Sequence, residues 1–237
     1  MNSVIHRANT RGHANYGWLD TNHTFSFANY YDPSRVNFGA LRVLNDDFVE
    51  GGMGFGTHPH DNMEIISIPL SGDLEHKDSM GNVAVIKQND VQIMSAGTGI
   101  QHSEYNKNKD KKVNFLQIWV FPKQRNIKPN YDQKTFDPKS RENKLQLVVS
   151  SEKESEGVWI NQDAKFLLGN LKKGFKTDYA ISQKGNGVYA FVINGDVTIN
   201  DQKLNKRDGF GIWDTDKISI AADSDAELLL MDVPMGQ

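Results

Sequence analysis

Two short segments carry side chains whose types and spacing could bind a metal ion. They are His58-Pro59-His60 and, further along the chain, His102-Ser103-Glu104. Side chains alternate between the two faces of a β-strand, so residues two apart point the same way, about 6.6 Å apart along the strand. Each pair can lean onto one ion at roughly 2.0 to 2.1 Å. Three neutral imidazoles and one carboxylate leave a divalent ion with residual positive charge and room for another ligand, which is typical of a catalytic site.

The composition excludes cysteine-based chemistry and limits the classes of partner to be expected. The chain has 237 residues, no cysteine and a formal net charge of -3. The lack of cysteine excludes disulfides, thiolate catalysis and Cys-ligated zinc or iron–sulfur centres, so a metal here must use nitrogen and oxygen ligands. The charge gives no electrostatic reason to expect nucleic acid or an anionic membrane as the main partner. The first twenty residues lack the apolar run of a signal peptide, and we expect a cytoplasmic protein.

The elements that must position these side chains are predicted to be strands. Short runs rich in Val, Ile, Leu and Phe, bounded by Gly, Asn or Asp, occur throughout, for example at 39–44, 64–70 and 113–120. Helical periodicity is not sustained over a dozen residues anywhere. The sequence therefore predicts an all-β protein, a barrel or sandwich, with small helical pieces near the end of its first half.

A weak internal repeat predicts two domains of one type. Residues 68–75 are echoed by 192–199, each with a Gly-Asp turn between apolar runs. A coincidence of common hairpin turns is the alternative explanation. The polar segment 121–130, which contains two prolines, is the best candidate for the crossing between domains. The predicted domains are residues 1–122 and 123–237.

The two halves differ in their potential ligands. All seven histidines lie at or before His102. Offsets from the repeated turn place Ile181 and Gln183 where the first half has His58 and His60. The offset from Asp90 to His102, applied from Asp208, places Ile220 where the first half has His102. The second domain is therefore predicted to hold no equivalent metal site.

The motifs around the histidines resemble those of a known family. Residues 52–64 and 97–106 are similar to the two cupin motifs, although Gly97 replaces the usual proline of the second motif and its usual leading glycine is absent. Within the cupins, His-Pro-His together with the segments 13–20, 24–33 and 95–106 resembles the pirin family. The resemblance is strong over the first 120 residues and loose over the remainder.

Membership of the pirins implies two tandem cupin barrels, each a double-stranded β-helix or jelly roll. It also implies a metal bound by His58, His60, His102 and Glu104, most simply Fe(II), with Mn, Co, Ni, Cu and Zn compatible with the same donors. In many cupins the glutamate of the first motif is a ligand, which makes Glu64 the rival. We expect Glu64 instead to lie outside the donor set and to orient a ligating imidazole.

The resemblance implies two functions of different kinds. Bacterial pirin-like proteins are associated with quercetin 2,3-dioxygenase activity, and the mammalian pirin is described as a nuclear redox-sensitive cofactor for transcription factors. The leading hypothesis is a metal-dependent dioxygenase that cleaves a flavonol such as quercetin, with Glu104 as catalytic base and an aromatic small molecule and dioxygen as partners. The alternative is a non-catalytic, metal- or redox-responsive protein that binds a protein partner; a metal-dependent isomerase is a third possibility.

The remaining candidates are expected to be structural. His76 lies in a charged segment that reads as a turn, and we expect it on the surface. His6, His13 and His23 are expected to pack or to form hydrogen bonds. One aromatic set could wall a pocket above the metal or simply form core; it comprises Phe25, Phe27, Tyr30, Tyr31, Phe38 and Phe55.

Overall fold

The computed structural model describes residues 1–236, which form twenty-two β-strands and two short 3-10 helices. The strands of the first half are β1 (Asn2–His6), β2 (Gly12–Asn15), β3 (Leu19–His23), β4 (Leu41–Val49), β5 (Gly54–His60), β6 (Glu64–Ser71), β7 (Leu74–Asp78), β8 (Val83–Ile86), β9 (Asp90–Ser95), β10 (Ile100–Asn106) and β11 (Val113–Val120). Those of the second half are β12 (Asn130–Thr135), β13 (Leu145–Ser150), β14 (Val158–Trp159), β15 (Lys165–Leu171), β16 (Lys176–Ala180), β17 (Asn186–Asn194), β18 (Val197–Ile199), β19 (Gln202–Leu204), β20 (Gly209–Trp213), β21 (Lys217–Ala222) and β22 (Ala226–Pro234). The 3-10 helices are Ala8–Thr10 and Pro138–Arg141. The all-β prediction is confirmed.

The first barrel consists of a large and a small sheet. Seven strands run in the order β12-β9-β6-β11-β4-β3-β2, and four run in the order β5-β10-β7-β8. The two sheets close over a buried cluster in which Leu74 and Ile86 of the small sheet meet Val49 and Phe115 of the large one. The small sheet carries both histidine segments, so the rigidity of this barrel positions the candidate ligands.

The second barrel repeats the same order, which confirms the prediction of two tandem cupin barrels. Its seven strands run β1-β20-β17-β22-β15-β13-β14, and its four run β16-β21-β18-β19. The repeated Gly-Asp turns fall at equivalent hairpins, β6–β7 and β17–β18. Gly72 and Gly195 both have φ +77, in the left-handed region that favours glycine. The repeat is therefore structural and not a coincidence of turns.

The two barrels exchange an edge strand. β1, at the start of the chain, pairs with β20 of the second barrel, and β12 returns to pair with β9 of the first. The chain thus stays with the first barrel beyond the segment 121–130. The boundary between residues 122 and 123 stays a prediction, and strand pairing crosses it twice.

The largest core cluster lies between the barrels, where the outer faces of the two large sheets meet. Ile66 and Ile118 contribute from the first barrel, and Phe166, Phe191 and Leu229 from the second. Within residues 1–236, no helix is long and apolar enough to cross a membrane.

Candidate metal centre

Three imidazoles converge on one face of the small sheet of the first barrel. His58 and His60 lie on β5, and His102 lies on β10 directly opposite His58. The alternation of strand side chains turns all three rings to the same face. One nitrogen from each ring lies within 4.8 Å of the others. Donor atoms at this spacing can share one ion at the usual metal–nitrogen distance.

Hydrogen bonds identify the nitrogens that are free to bind. The Nδ1 of His58 lies 2.7 Å from the carbonyl oxygen of Gly56. A carbonyl can only accept, so Nδ1 carries the proton and Nε2 keeps a lone pair. That Nε2 lies 3.0 Å from Nε2 of His102. The Nε2 of His60 is buried without a hydrogen-bond partner among the described residues. Buried nitrogens without partners are uncommon, and a shared cation would satisfy them.

The surroundings keep two of these rings neutral. Burial lowers the pKa of His60 to about 4, helped by the neighbouring His102 and His58. Burial, followed by the proximity of His58 and His76, lowers the pKa of His102 to about 3. Neutral imidazole is the form that binds metal, so both rings are ready to do so at neutral pH.

Glu104 is buried inside the barrel, as His102 is, whereas His58 and His60 are only half-buried. Its carboxylate accepts hydrogen bonds from Ser67 Oγ at 3.1 Å and from Gln117 Nε2 at 2.7 Å. Its oxygen lies within 4.8 Å of ligand nitrogens of His102 and His76, in a group next to the three imidazoles. The structure therefore brings His58, His60 and His102 together and joins Glu104 to them through His102. The role of Glu104 as a ligand stays a prediction.

Glu64 does not play the part expected of it. It is fully buried on β6, where it accepts hydrogen bonds from Ser95 Oγ at 2.7 Å and from the backbone NH of Asn161 at 3.1 Å. Neither of its oxygens is bonded to an imidazole within residues 1–236, so the expectation that it orients a ligating ring is wrong. Asn161 belongs to the second barrel, and this glutamate ties the barrels together. Burial raises its pKa to about 7.

His76 was predicted on the surface, and this prediction is wrong. Its ring is completely buried on β7, opposite Glu104 on β10. Its Nε2 lies 3.1 Å from Asp78 Oδ2, and its Nδ1 is buried without a hydrogen-bond partner in the described residues 1–236. The sequence contained a signal for it: His76 and Asp78 form a third pair with the two-residue spacing of the other two. The charged neighbours of His76 suggested a turn instead.

Polar residues inside the first barrel are the other group that sequence reasoning missed. Ser67, Gln92 and Gln117 are buried at central positions of β6, β9 and β11. Each stands between two apolar residues that face the core between the barrels, as Ile66 and Ile68 flank Ser67. A polar residue between two apolar ones near the middle of a strand was the available signal. The interior of the second barrel, by contrast, is an apolar cluster that includes Ile220.

An aromatic wall adjoins the imidazoles, but it differs from the predicted set. The Trp119 ring meets His60 edge to face at 5.0 Å between centroids, and Phe27 packs on Trp119 at 5.3 Å. Of the predicted aromatics, Phe25 and Phe38 lie in the core between the barrels, and Tyr31 is exposed. Only Phe27 of the set contacts this wall through a described ring pair.

The other three histidines make local contacts away from the centre. The structure pairs His6 with Tyr189, His13 with Asp20, and His23 with Asn45. Within residues 1–236, both groups of His, Asp and Glu side chains that could hold a metal lie in the first barrel. The donor set of imidazoles and carboxylate fits a divalent first-row metal.

The comparisons with known proteins agree with this architecture. Residues 4–120 match the pirin family model, and residues 147–233 match the model of the quercetinase C-terminal cupin domain. A quercetin 2,3-dioxygenase of Escherichia coli strain K12 is 47% identical over 230 residues, which cover 97% of this chain and 98% of that protein. The chain belongs to the pirin family. A pirin-like protein of Caulobacter vibrioides is 42% identical over 222 residues, 93% of this chain and 95% of that protein.

A solved pirin relates the fold to metal binding. The crystal structure of the bacterial pirin YhhW from Escherichia coli, in complex with nickel(II), matches this pirin with a TM-score of 0.93 and 46% identity. The match covers 98% of this chain and 99% of that one. The likeness and the three converging imidazoles together support a site for one divalent metal ion in this pirin.

Proposed function

We propose that this pirin is a metal-dependent dioxygenase that cleaves a flavonol such as quercetin, with Fe(II) as its ion. The observation that carries the proposal is the convergence of three imidazoles, two of them held neutral, beside a buried carboxylate. The 47% identical Escherichia coli relative named quercetin 2,3-dioxygenase supports the choice of reaction.

The surroundings of the imidazoles suit an aromatic substrate. His58 and His60 are half-buried, whereas His102 and Glu104 are almost completely enclosed, so the substrate reaches the centre from the His58 side. Trp119 offers an apolar wall next to His60. A planar phenolic ring that enters here displaces water from this wall, which favours binding.

Glu104 is the proposed base for the substrate hydroxyl. When bound, the ion lowers the pKa of that hydroxyl and brings the substrate and dioxygen together. Ser67 and Gln117 donate to the two oxygens of Glu104 and hold its carboxylate in the barrel interior. Loss of the hydroxyl proton to Glu104 would make the substrate electron-rich, which its reaction with dioxygen requires.

The test is turnover by protein that has been purified without oxygen and loaded with Fe(II). We expect quercetin and dioxygen to be consumed together. The loss of quercetin is measured by its visible absorbance, and the uptake of dioxygen by an oxygen electrode. Glu104→Gln keeps the size and an acceptor oxygen but not the base, and should lose at least a hundredfold in kcat. The matched control His13→Gln alters an exposed histidine elsewhere and should leave turnover unchanged. Bound iron with an unchanged quercetin spectrum would contradict the proposal and favour a non-catalytic, metal-responsive protein.

A further inference from the structure

A second group of metal-binding side chains adjoins the three imidazoles. Glu104 on β10 lies directly opposite His76 on β7, and their ligand atoms and that of His102 lie within 4.8 Å of one another. Side chains directly opposite each other on neighbouring strands have Cβ atoms about 5 Å apart, so this proximity follows from the strand register. All three residues are buried, unlike His58 and His60.

The hydrogen bonds of Asp78 fix the state of His76. The carboxylate of Asp78 accepts from the backbone NH groups of Met80 and Asn82 and from the Asn82 side chain. A carboxylate that accepts all of these bonds also accepts from His76, so the proton of the neutral ring is on Nε2. In this tautomer the Nδ1 of His76 carries the lone pair.

That lone pair has no partner among the described residues. The Nδ1 of His76 is buried, and the Nδ1 of His102 is also buried and unbonded. An enclosed lone pair without a donor is costly, and an occupant that accepts electron pairs removes the cost. The neighbouring carboxylate of Glu104 makes a cation more favourable there than a neutral donor, because the negative charge attracts it in an enclosed site.

We propose that the first barrel has an inner cation position formed by His76, His102 and Glu104, next to the outer position at His58, His60 and His102. Two imidazoles and one carboxylate are a donor set that Zn, Fe and Co accept. The two positions share His102, so one divalent ion occupies one or the other. In the outer position the ion is open to substrate, and in the inner position it is enclosed.

The test separates the positions by removing the outer one. In the variant with His58→Ala and His60→Ala together, Co(II) should still bind at one equivalent, more weakly than in the wild type. Isothermal titration calorimetry and the visible absorption of Co(II) measure this. Addition of His76→Gln should weaken the remaining binding at least tenfold. His13→Gln added to the same double variant is the matched control and should leave it unchanged.

The outcomes are distinguishable from those of the dioxygenase test, because only metal binding is measured. Circular dichroism melts of the metal-free variants establish that each is folded, and His76→Asn replaces His76→Gln if the latter unfolds. If the inner position holds only a buried water, the double variant should fold but bind no Co(II). That result would overturn the proposal. Co(II) binding that is unaffected by both substitutions of His76 would overturn it as well.

Discussion

At the scale of single residues, the candidate metal centre depends on imidazole nitrogens that are buried away from water without a hydrogen bond to a described residue. His60 shows this most clearly, because its Nε2 is buried without a hydrogen bond to any described residue and burial lowers its pKa to about 4. The barrel keeps such rings neutral by burial, and the free energy of metal binding offsets the cost of their unbonded nitrogens.

The substitution His60→Ala should remove one ligand and leave the fold intact. Loss of an outer hydrogen-bond partner of a ligand commonly costs 10- to 100-fold in metal affinity, so loss of the ligand itself should cost at least about a hundredfold. Elemental analysis of freshly purified protein and a Ni(II) titration measure this. The exposed His13→Ala is the control. Full metal content in His60→Ala would show that the three imidazoles do not act together.

The substitution Gln117→Leu tests the support of Glu104. It removes the 2.7 Å hydrogen bond to the carboxylate while keeping the side-chain volume. Because Glu104 would then be held by Ser67 alone, metal affinity should fall roughly 10- to 100-fold. Gln101→Leu, on the exposed face of β10, should have no effect in the same titration. If Gln117→Leu and the wild type bind the metal with equal affinity, the position of Glu104 does not affect metal binding.

The residues that sequence reasoning found and missed differ in their local context. The pairs at 58–60 and 102–104 stood out because two ligand-type residues repeat with strand spacing beside glycine-rich turns. His76 has the same spacing with Asp78, but its charged neighbours Glu75 and Lys77 make the segment resemble an exposed turn in the sequence. The sequence predicts Glu64 near the imidazoles because it shows the distance along the chain and not the partner Asn161 in the other barrel.

At the scale of elements, strand alternation explains why one barrel binds metal and its twin does not. The polar interior of the first barrel comes from single residues such as Gln92 and Gln117 in apolar strands. At the equivalent depth of the second barrel, Val188, Ala190 and Val192 of β17 close an apolar core. The repeat in the sequence predicted two β domains of one type correctly, because hairpin turns are local. It did not predict their shared strands, since Ser3 pairs with Ile212 across the whole chain.

The contact between β6 and the second barrel should be sensitive to pH. The pKa of Glu64 is about 7 in the folded protein, against 4.5 as the ordinary value. Between these values the folded state binds the proton more tightly, so its stability falls as the pH rises through about 7. Glu64→Gln cannot ionise and should gain stability relative to the wild type between pH 5 and 8, reaching about 3 kcal/mol.

Thermal melts of the metal-free proteins across this range measure the difference. The exposed Glu154→Gln is the control and should follow the wild type at each pH. A difference between Glu64→Gln and the wild type that stays constant from pH 5 to 8 would mean that Glu64 does not titrate there.

At the scale of the whole molecule, the barrels are joined by a buried ion pair as well as by their core. Arg207, in the second barrel, lies 2.9 Å from Asp46 on β4, and Arg11 approaches the same carboxylate at 3.4 Å. Asp46 is almost fully buried, and these two guanidinium groups offset the cost of burying its carboxylate.

The substitution Arg207→Leu should destabilise the protein by about 3 kcal/mol, because Asp46 then keeps only the more distant Arg11 and the neutral side-chain amide of Asn114, which donates to it at 2.9 Å. Denaturant unfolding monitored by tryptophan fluorescence measures this. Arg125→Leu, which alters an exposed arginine outside the ion pair, should change little. The double variant Asp46→Asn/Arg207→Leu removes the buried negative charge as well. If it is no more stable than Arg207→Leu alone, the uncompensated charge of Asp46 is not the cause of the destabilisation.

The exchanged strands also govern the order in which a newly made chain can fold. β1 is made long before its partner β20, which is completed only at residue 213. At synthesis rates of about 5 to 20 residues per second, β1 waits roughly 10 to 40 s for that partner. β12, the last strand of the first barrel, emerges well before then. The histidine-bearing barrel can therefore close, and capture its ion, while most of its twin is still being translated.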